Sequence, residues 1–275
     1  MKPVPFGYER PRSVAEALDL KAAAGDDARF LAGGQSLGPM LNLRLARPKS
    51  LIDVSRLEEL RGVSGRGGHV LVGAGVTHAQ IEDGIDPDPS KGLLSRVAAE
   101  IAWRAVRNRG TIGGNVAHAD PLGDWGPVLF ALGAKVRLRS AEAERAMPVE
   151  EFVRQSYSTA IGAAEILVAI EIPELSPKAA WGYCKLCRKV GEYAESSGVF
   201  VADPQRGVCR VVAGGAEPRP VFLPATAAAL ARDGREAAAA ALADEIGGMF
   251  PGADRVELKI RKAAVARAVA GESRA

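Results

Sequence analysis

The chain has 275 residues, 47% hydrophobic, 25% charged and 5% aromatic, an ordinary globular composition that excludes disordered, fibrous and membrane-spanning classes. Its 36 basic and 33 acidic residues leave a net charge of +3, too little for the clustered basic stripe of a nucleic-acid footprint. Three Cys cannot build a disulfide framework; with no apolar h-region after Met1 and no run near the ~20 residues of a membrane helix, a cytoplasmic protein is expected.

Alanine, 31 Gly and few aromatics describe an α/β protein with many tight turns. Ser13-Val14-Ala15-Glu16 has the capping-box pattern and opens a helix over Ala17, Leu18, Leu20 and Lys21 that stops at Gly25. A short strand, Arg29–Ala32, runs into Gly33-Gly34; an amphipathic segment, Met40–Leu45, precedes Pro48 and the strand Ser50–Val54. A Gly-rich hairpin from Gly62 to Gly68 leads to a strand over His69–Ala74, and Thr77–Gln80 is a second capping-box pattern. After Pro87-Asp88-Pro89, helical spacing of Leu94, Val97, Ala98, Ile101 and Ala105 predicts the longest helix, Leu93 to Asn108. Then come a loop carrying Gly113-Gly114, a helix near Trp125–Ala131, and strands over Lys135–Arg139 and Glu165–Ile172. Pro173 and Pro177 bracket a boundary. Beyond it, strands at Trp181–Leu186, Val199–Ala202 and Val208–Ala213 precede Ala-rich helices at Glu236–Ile246 and Arg255–Ala270, with Ala237–Ala241 expected on the surface.

Several chemistries find no support. There is no phosphate-binding G-x-x-x-x-G-K-[ST], and Gly73-Ala74-Gly75 departs from a dinucleotide fingerprint where His78 replaces the third small residue. His69, His78 and His118 lie in different elements without metal-ligand spacing, and are expected as surface or turn residues. Cys184 and Cys187 have C-x-x-C spacing, but Cys209 supplies only a third thiol, so no metal or iron–sulfur cluster is expected on this chain. The informative features are two double-glycine loops, Ala32-Gly33-Gly34-Gln35-Ser36 and Thr111-Ile112-Gly113-Gly114-Asn115. Paired glycines let successive amides turn toward one anion, and Gln35, Ser36, Thr111 and Asn115 add neutral donors. Asp124 could accept from sugar or polyol hydroxyls. On these residues alone, one shared dinucleotide site and two unrelated turns both remain open.

Taken in order, A-G-G-Q-S-L at 32–37, T-I-G-G-N at 111–115 and A-D-P-x-x-D at 119–124 resemble the FAD-binding (medium) subunit of molybdenum hydroxylases of the carbon monoxide dehydrogenase and xanthine dehydrogenase type. The similarity continues through Arg44–Pro48, Leu51–Val54, Glu165–Leu167 and Lys185–Ala194, and so spans essentially the whole chain. The resemblance implies a two-subdomain vanillyl-alcohol-oxidase-like FAD fold, 1–57 and 58–176, with a C-terminal α+β domain at 177–275. It implies FAD held by Ala32, Gly33, Gly34, Gln35 and Ser36, with Thr111, Gly114 and Asn115 completing the diphosphate cradle and Asp124 holding polar groups. Ile101, Ala102 and Leu167 are implied as packing contacts, Lys185 as a cation beside the flavin and Tyr193 as an aromatic beside its ring. Lys189 and Glu192 depart from the family's usual Arg and Asp. The implied role is electron transfer within a heterotrimer or dimer of heterotrimers. Molybdopterin would sit on a large subunit and a [2Fe-2S] cluster on a small one, and no catalytic residue is expected on this chain. A stand-alone FAD oxidoreductase and a flavin-free scaffold are the alternatives.

Overall fold

The computed structural model describes residues 2–215 and 218–271. The fold is mixed helix and strand, as the sequence leads one to expect, and is built on three main sheets. In the first unit β1 (Gly7–Glu9), α1 (Val14–Ala24), β2 (Ala28–Leu31), α2 (Leu37–Asn42) and β3 (Ser50–Asp53) follow in order. Its parallel sheet runs β1-β3-β2. Ser13 caps α1 by accepting from the Glu16 amide, but the Glu16 carboxylate bonds the Arg12 amide, so the expected reciprocal box is shifted by one residue. Val14, Ala17, Leu18 and Ile52 pack beneath this sheet together with Leu60 and Ile166 from the second unit.

The second unit contains β4 (Val63–Arg66), β5 (His69–Gly73), α3 (His78–Asp83), α4 (Leu93–Ala99), α5 (Arg104–Arg107), α6 (Ile112–His118) and α7 (Trp125–Leu132). It continues through β6 (Lys135–Arg139), β7 (Glu144–Pro148), α8 (Val149–Phe152), the small hairpin β8 (Val153–Gln155) and β9 (Ser158–Thr159), and β10 (Ile166–Pro173). The antiparallel order is β4-β5-β10-β6-β7. Alternation puts Val72, Ile170 and Val136 in one cross-strand row, all fully buried. Thr77 and Gln80 form the complete capping box that their spacing predicts.

Two expectations here are corrected. The helix predicted over Leu93–Asn108 is broken into α4 and α5 by a bend at Glu100–Trp103, where Ala102 takes the left-handed φ of 44°. Local periodicity is overridden by two buried cations, because the distant Lys185 draws the Glu100 carbonyl, and Arg107 of α5 the Ile101 and Ala102 carbonyls, out of the helical ladder. The expected loop at Gly113-Gly114 is instead the first turn of α6, since Thr111 supplies an N-cap.

The C-terminal unit comprises β11 (Ala180–Leu186), β12 (Ser196–Asp203), β13 (Val208–Gly214), β14 (Val221–Phe222), α9 (Pro224–Asp233), α10 (Arg235–Met249) and α11 (Arg255–Ala270). Its sheet is an antiparallel meander. α9 was not anticipated, although Pro224 at its first turn is a helix-start signal. α11, at 16 residues, exceeds the pieces of the helix expected to be longest. Ala238 of the alanine run is buried against Leu242 and Ile246 rather than on the surface. α7, nearly all buried, shares one core with the five-stranded sheet and with Val199, Val201 and Val212 of this unit.

Candidate functional site

The loop from β2 to α2 rests on the chain just before α6. A Cβ built on Gly33 would lie 1.9 Å from the Arg109 carbonyl oxygen and 2.9 Å from Gly110 Cα, so the approach is backbone to backbone and admits only glycine. Gly34 has φ +73, again a glycine conformation. The Gln35 side chain folds back and donates Nε2–H to the Gly33 carbonyl at 3.1 Å. Ser36 starts α2 without a side-chain cap bond. No hydrogen bond among the described residues takes up the amides of Gly33, Gly34, Gln35 and Ser36. Four consecutive amide donors without internal acceptors are unusual in a folded chain and suit an anionic ligand.

The second loop is different. Thr111 bridges Thr77, the Ile112 amide donates to Val76 O and the Gly113 amide to Ala74 O, both at 3.0 Å, and the Gly114 amide donates to Thr111 Oγ1 at 3.1 Å. Its glycines therefore do not offer amides. Gly113 is needed for packing, since its Cβ would lie 2.4 Å from that of Ala74. Gly114 is exposed and faces the first loop, with Ala32 Cβ 3.8 Å from a Cβ built there. Thr111 and half-buried Asn115 contribute side-chain donors. Behind Gly110 lies His78, expected as a surface or turn residue and found buried at the start of α3, with Nδ1 accepting from Trp125 Nε1–H at 3.1 Å. Burial, reinforced by Arg107, pushes its pKa down to about 4, so the ring is neutral.

Of the remaining predicted residues, Asp124 and Lys185 meet at the joint between α4, α7 and β11. Asp124 is buried, with Tyr183 Oη–H donating to Oδ1 at 2.8 Å and Lys185 Nζ 3.0 Å from Oδ1 and 3.1 Å from Oδ2. Lys185 also donates to Glu100 O at 3.2 Å. Both carboxylate oxygens are thus engaged from within the chain. Burial pushes the Asp124 carboxyl up against the pull of Lys185, and burial with Asp124 beside it pushes the Tyr183 hydroxyl well up. Ile101 and Leu167 are buried in the central core, and Ala102 lies under Gly191, whose Cβ would be 2.9 Å from Ala102 O. Tyr193 is 60% exposed; partial desolvation and the Asp120 carboxylate bonded to it raise its hydroxyl pKa. Lys189 and Glu192 are exposed, so their departure from the usual Arg and Asp disturbs no interior ion pair.

Arg104 binds Glu82 and Asp83, and Arg107 binds Glu82. Glu82 and Tyr183 escaped the sequence reading, because no local pattern links partners so far apart in the chain. Among the described residues no three His, Cys, Asp or Glu side chains could share a metal ion. Cys184, Cys187 and Cys209 form no disulfide among the described residues, and no described helix is long and apolar enough to cross a membrane.

Unclaimed amides, neutral donors and the absence of any acidic residue in the first loop fit the diphosphate of a dinucleotide. The family described as "FAD binding domain in molybdopterin dehydrogenase" matches residues 4–175. The chain belongs to that family. It is 39% identical to the carbon monoxide dehydrogenase medium chain of Hydrogenophaga pseudoflava over 194 residues, 70% of this chain and 68% of the other. It is 35% identical to the nicotine 6-hydroxylase medium subunit of Paenarthrobacter nicotinovorans, over 78% of this chain and 76% of that subunit. A chain in the solved carbon monoxide dehydrogenase of Hydrogenophaga pseudoflava superposes with a TM-score of 0.89 at 33% identity, covering 98% of each chain. One in the Oligotropha carboxidovorans enzyme gives 0.91 at 30%, again over 98% of each. The protein is accordingly an FAD-binding oxidoreductase subunit of the molybdenum hydroxylase type.

Proposed function

We propose that this chain is the electron-transfer subunit of a molybdopterin-dependent dehydrogenase, taking electrons from a [2Fe-2S] subunit and passing them to an external acceptor. The observation that carries the reading is the run of four unclaimed amides at Gly33–Ser36 in a lining of neutral donors. Ala32 to Ser36 would hold the FAD diphosphate, flanked by the Thr111 hydroxyl, the open surface at Gly114 and the Asn115 amide. FAD, when bound, supplies a ring system that takes up and releases electrons singly or in pairs. This chain's residues orient it and set its surroundings. Asp124, Lys185 and Tyr183 brace the bend beside Ile101 and Ala102, Leu167 packs in the central core, and the exposed Tyr193 offers a flat aromatic face. The Lys185 charge is the nearby cation, moderated by Asp124. Partners in this reading are a large molybdopterin subunit and the small iron–sulfur subunit, in a cytoplasmic heterotrimer or its dimer, with the three units of this chain bounded near 57 and 176.

The test is the visible spectrum of the purified chain, with FAD added if needed and the chromophore released by acid. Stoichiometric FAD with bands near ~450 nm and no iron–sulfur absorption is expected. Bound flavin should be reduced when the two partner subunits and their substrate are supplied, and not by substrate alone. A chain that takes up no FAD, or that turns over an organic substrate by itself, would overturn the reading.

A further inference from the structure

The bend between α4 and α5 carries three successive carbonyls inward. Glu100 O accepts from Lys185 Nζ at 3.2 Å, and Ile101 O and Ala102 O each accept from Arg107 Nη1 at 3.0 Å. Arg107 is buried, and Glu82 holds its other edge, Nε to Oε2 and Nη2 to Oε1, both at 2.8 Å. This is a bidentate charge-assisted pair, and it draws the Glu82 carboxyl below the usual glutamate range. A planar trans peptide sets its N–H opposite to its C=O. With the Ile101 and Ala102 carbonyls turned onto Arg107, the amides of Ala102 and Trp103 point away from it. Neither has a partner among the described residues. The geometry requires Ala102 to sit at φ 44, which an L-residue adopts only when it is held there.

This bend joins both ends of the candidate site. On one side it packs under Gly191, two residues before Tyr193. On the other, the single turn of α5 leads to Arg109 and Gly110, on which Gly33 rests. We propose that Arg107, anchored by Glu82, is a positioning residue for the flavin: it locks the bend so that the Ala102 and Trp103 amides stand as two fixed donors for an acceptor on the ring system. The proposal rests on the FAD reading above and extends it to residues outside the glycine loops.

The experiment is titration of the flavin-stripped full chain with FAD, and separately with ADP, for wild type, Arg107→Lys, Arg107→Lys combined with Ala102→Gly, and Glu82→Gln. A lysine ammonium cannot serve two carbonyls and two carboxylate oxygens at once. Arg107→Lys should weaken FAD at least tenfold while ADP, which needs only the diphosphate cradle, changes less than twofold. Glycine adopts φ 44 without being held, so Ala102→Gly should recover most of the lost FAD affinity. Should Arg107→Lys fail to fold, Glu82→Gln carries the same expectation at several-fold size. Wild type that binds FAD beside an unaffected Arg107→Lys overturns this inference alone, as do equal losses of FAD and ADP or a failure of Ala102→Gly to rescue. Wild type that takes up no FAD overturns the functional reading, and this inference falls with it.

Discussion

The two double-glycine loops look alike in sequence and differ in what their glycines do. At Gly33-Gly34 the backbone presses on Arg109 and Gly110 through the first glycine and turns left-handed at the second, leaving four amides unclaimed. At Gly113-Gly114 the amides of Ile112 and of both glycines are consumed, by Val76, Ala74 and the Thr111 hydroxyl, and the first glycine exists to let α6 approach Ala74. One loop is a set of donors, the other a wall that holds the donors in place. A glycine pair is therefore evidence of close approach, and whether that approach serves a ligand or a packing contact is decided by where the amides go.

The sharpest way to break this division is at the shared contact. Gly33→Ala forces a Cβ against the backbone of Arg109, which cannot step aside as a side chain would. We expect about 3 kcal/mol of destabilisation from overpacking together with loss of FAD, checked by denaturant melts alongside flavin content. A stable, flavin-replete Gly33→Ala would mean that the two loops are not locked together. The wall has its own weak point in His78. Its pKa is depressed from 6.5 to about 4 in the fold, so the folded form resists protonation while the unfolded chain accepts it. The stability that neutral His78 contributes is complete above pH 6.5 and drains away as pH falls toward 4, by roughly 3 kcal/mol over the window. Stability measured against pH should show this slope, and His78→Gln, which keeps an acceptor for Trp125, should flatten it.

Much of the molecule was legible because its causes are local. The Thr77–Gln80 capping box, the alternation of Val70 and Val72, and the glycine loops are all written within a few residues. The break at Glu100–Trp103 was not, because its cause is Lys185, some eighty residues away, and an arginine anchored by Glu82 on another helix. His78 was misjudged for the same reason, since Trp125 and Gly110 reach it only after folding. Of the site, the order of the glycine loops was readable; the commitment of the second loop's amides and the internal pairing of Asp124 with Lys185 and Tyr183 were not. Spacing reports which groups are available, whereas their partners are chosen by tertiary contact.

Smaller effects sharpen the comparison further. Gly114→Val adds a branched side chain on the exposed face toward Ala32, where a Cβ would lie 2.9 Å from Thr111 Oγ1. It should weaken FAD about tenfold, equivalent to ~1.4 kcal/mol, while folding stability moves by less than about 1 kcal/mol, the scale of helix propensity. Comparable losses in both would show that Gly114, too, serves packing.

The last and smallest test separates wall from donor at a single atom. Thr111 Oγ1 accepts from the Gly114 amide and so caps α6, and Thr111→Val should cost ~1 kcal/mol of stability, the ordinary value of an N-cap. Thr111→Ser should recover it. If the second loop only supports the first, FAD affinity in Thr111→Val should fall by no more than that same energy, about fivefold. If the Thr111 hydroxyl proton is also given to the cofactor, affinity should fall further than stability, because a lost donor to a charged group exceeds a lost cap. The ratio of the two losses, read from one pair of variants, says whether the wall also donates.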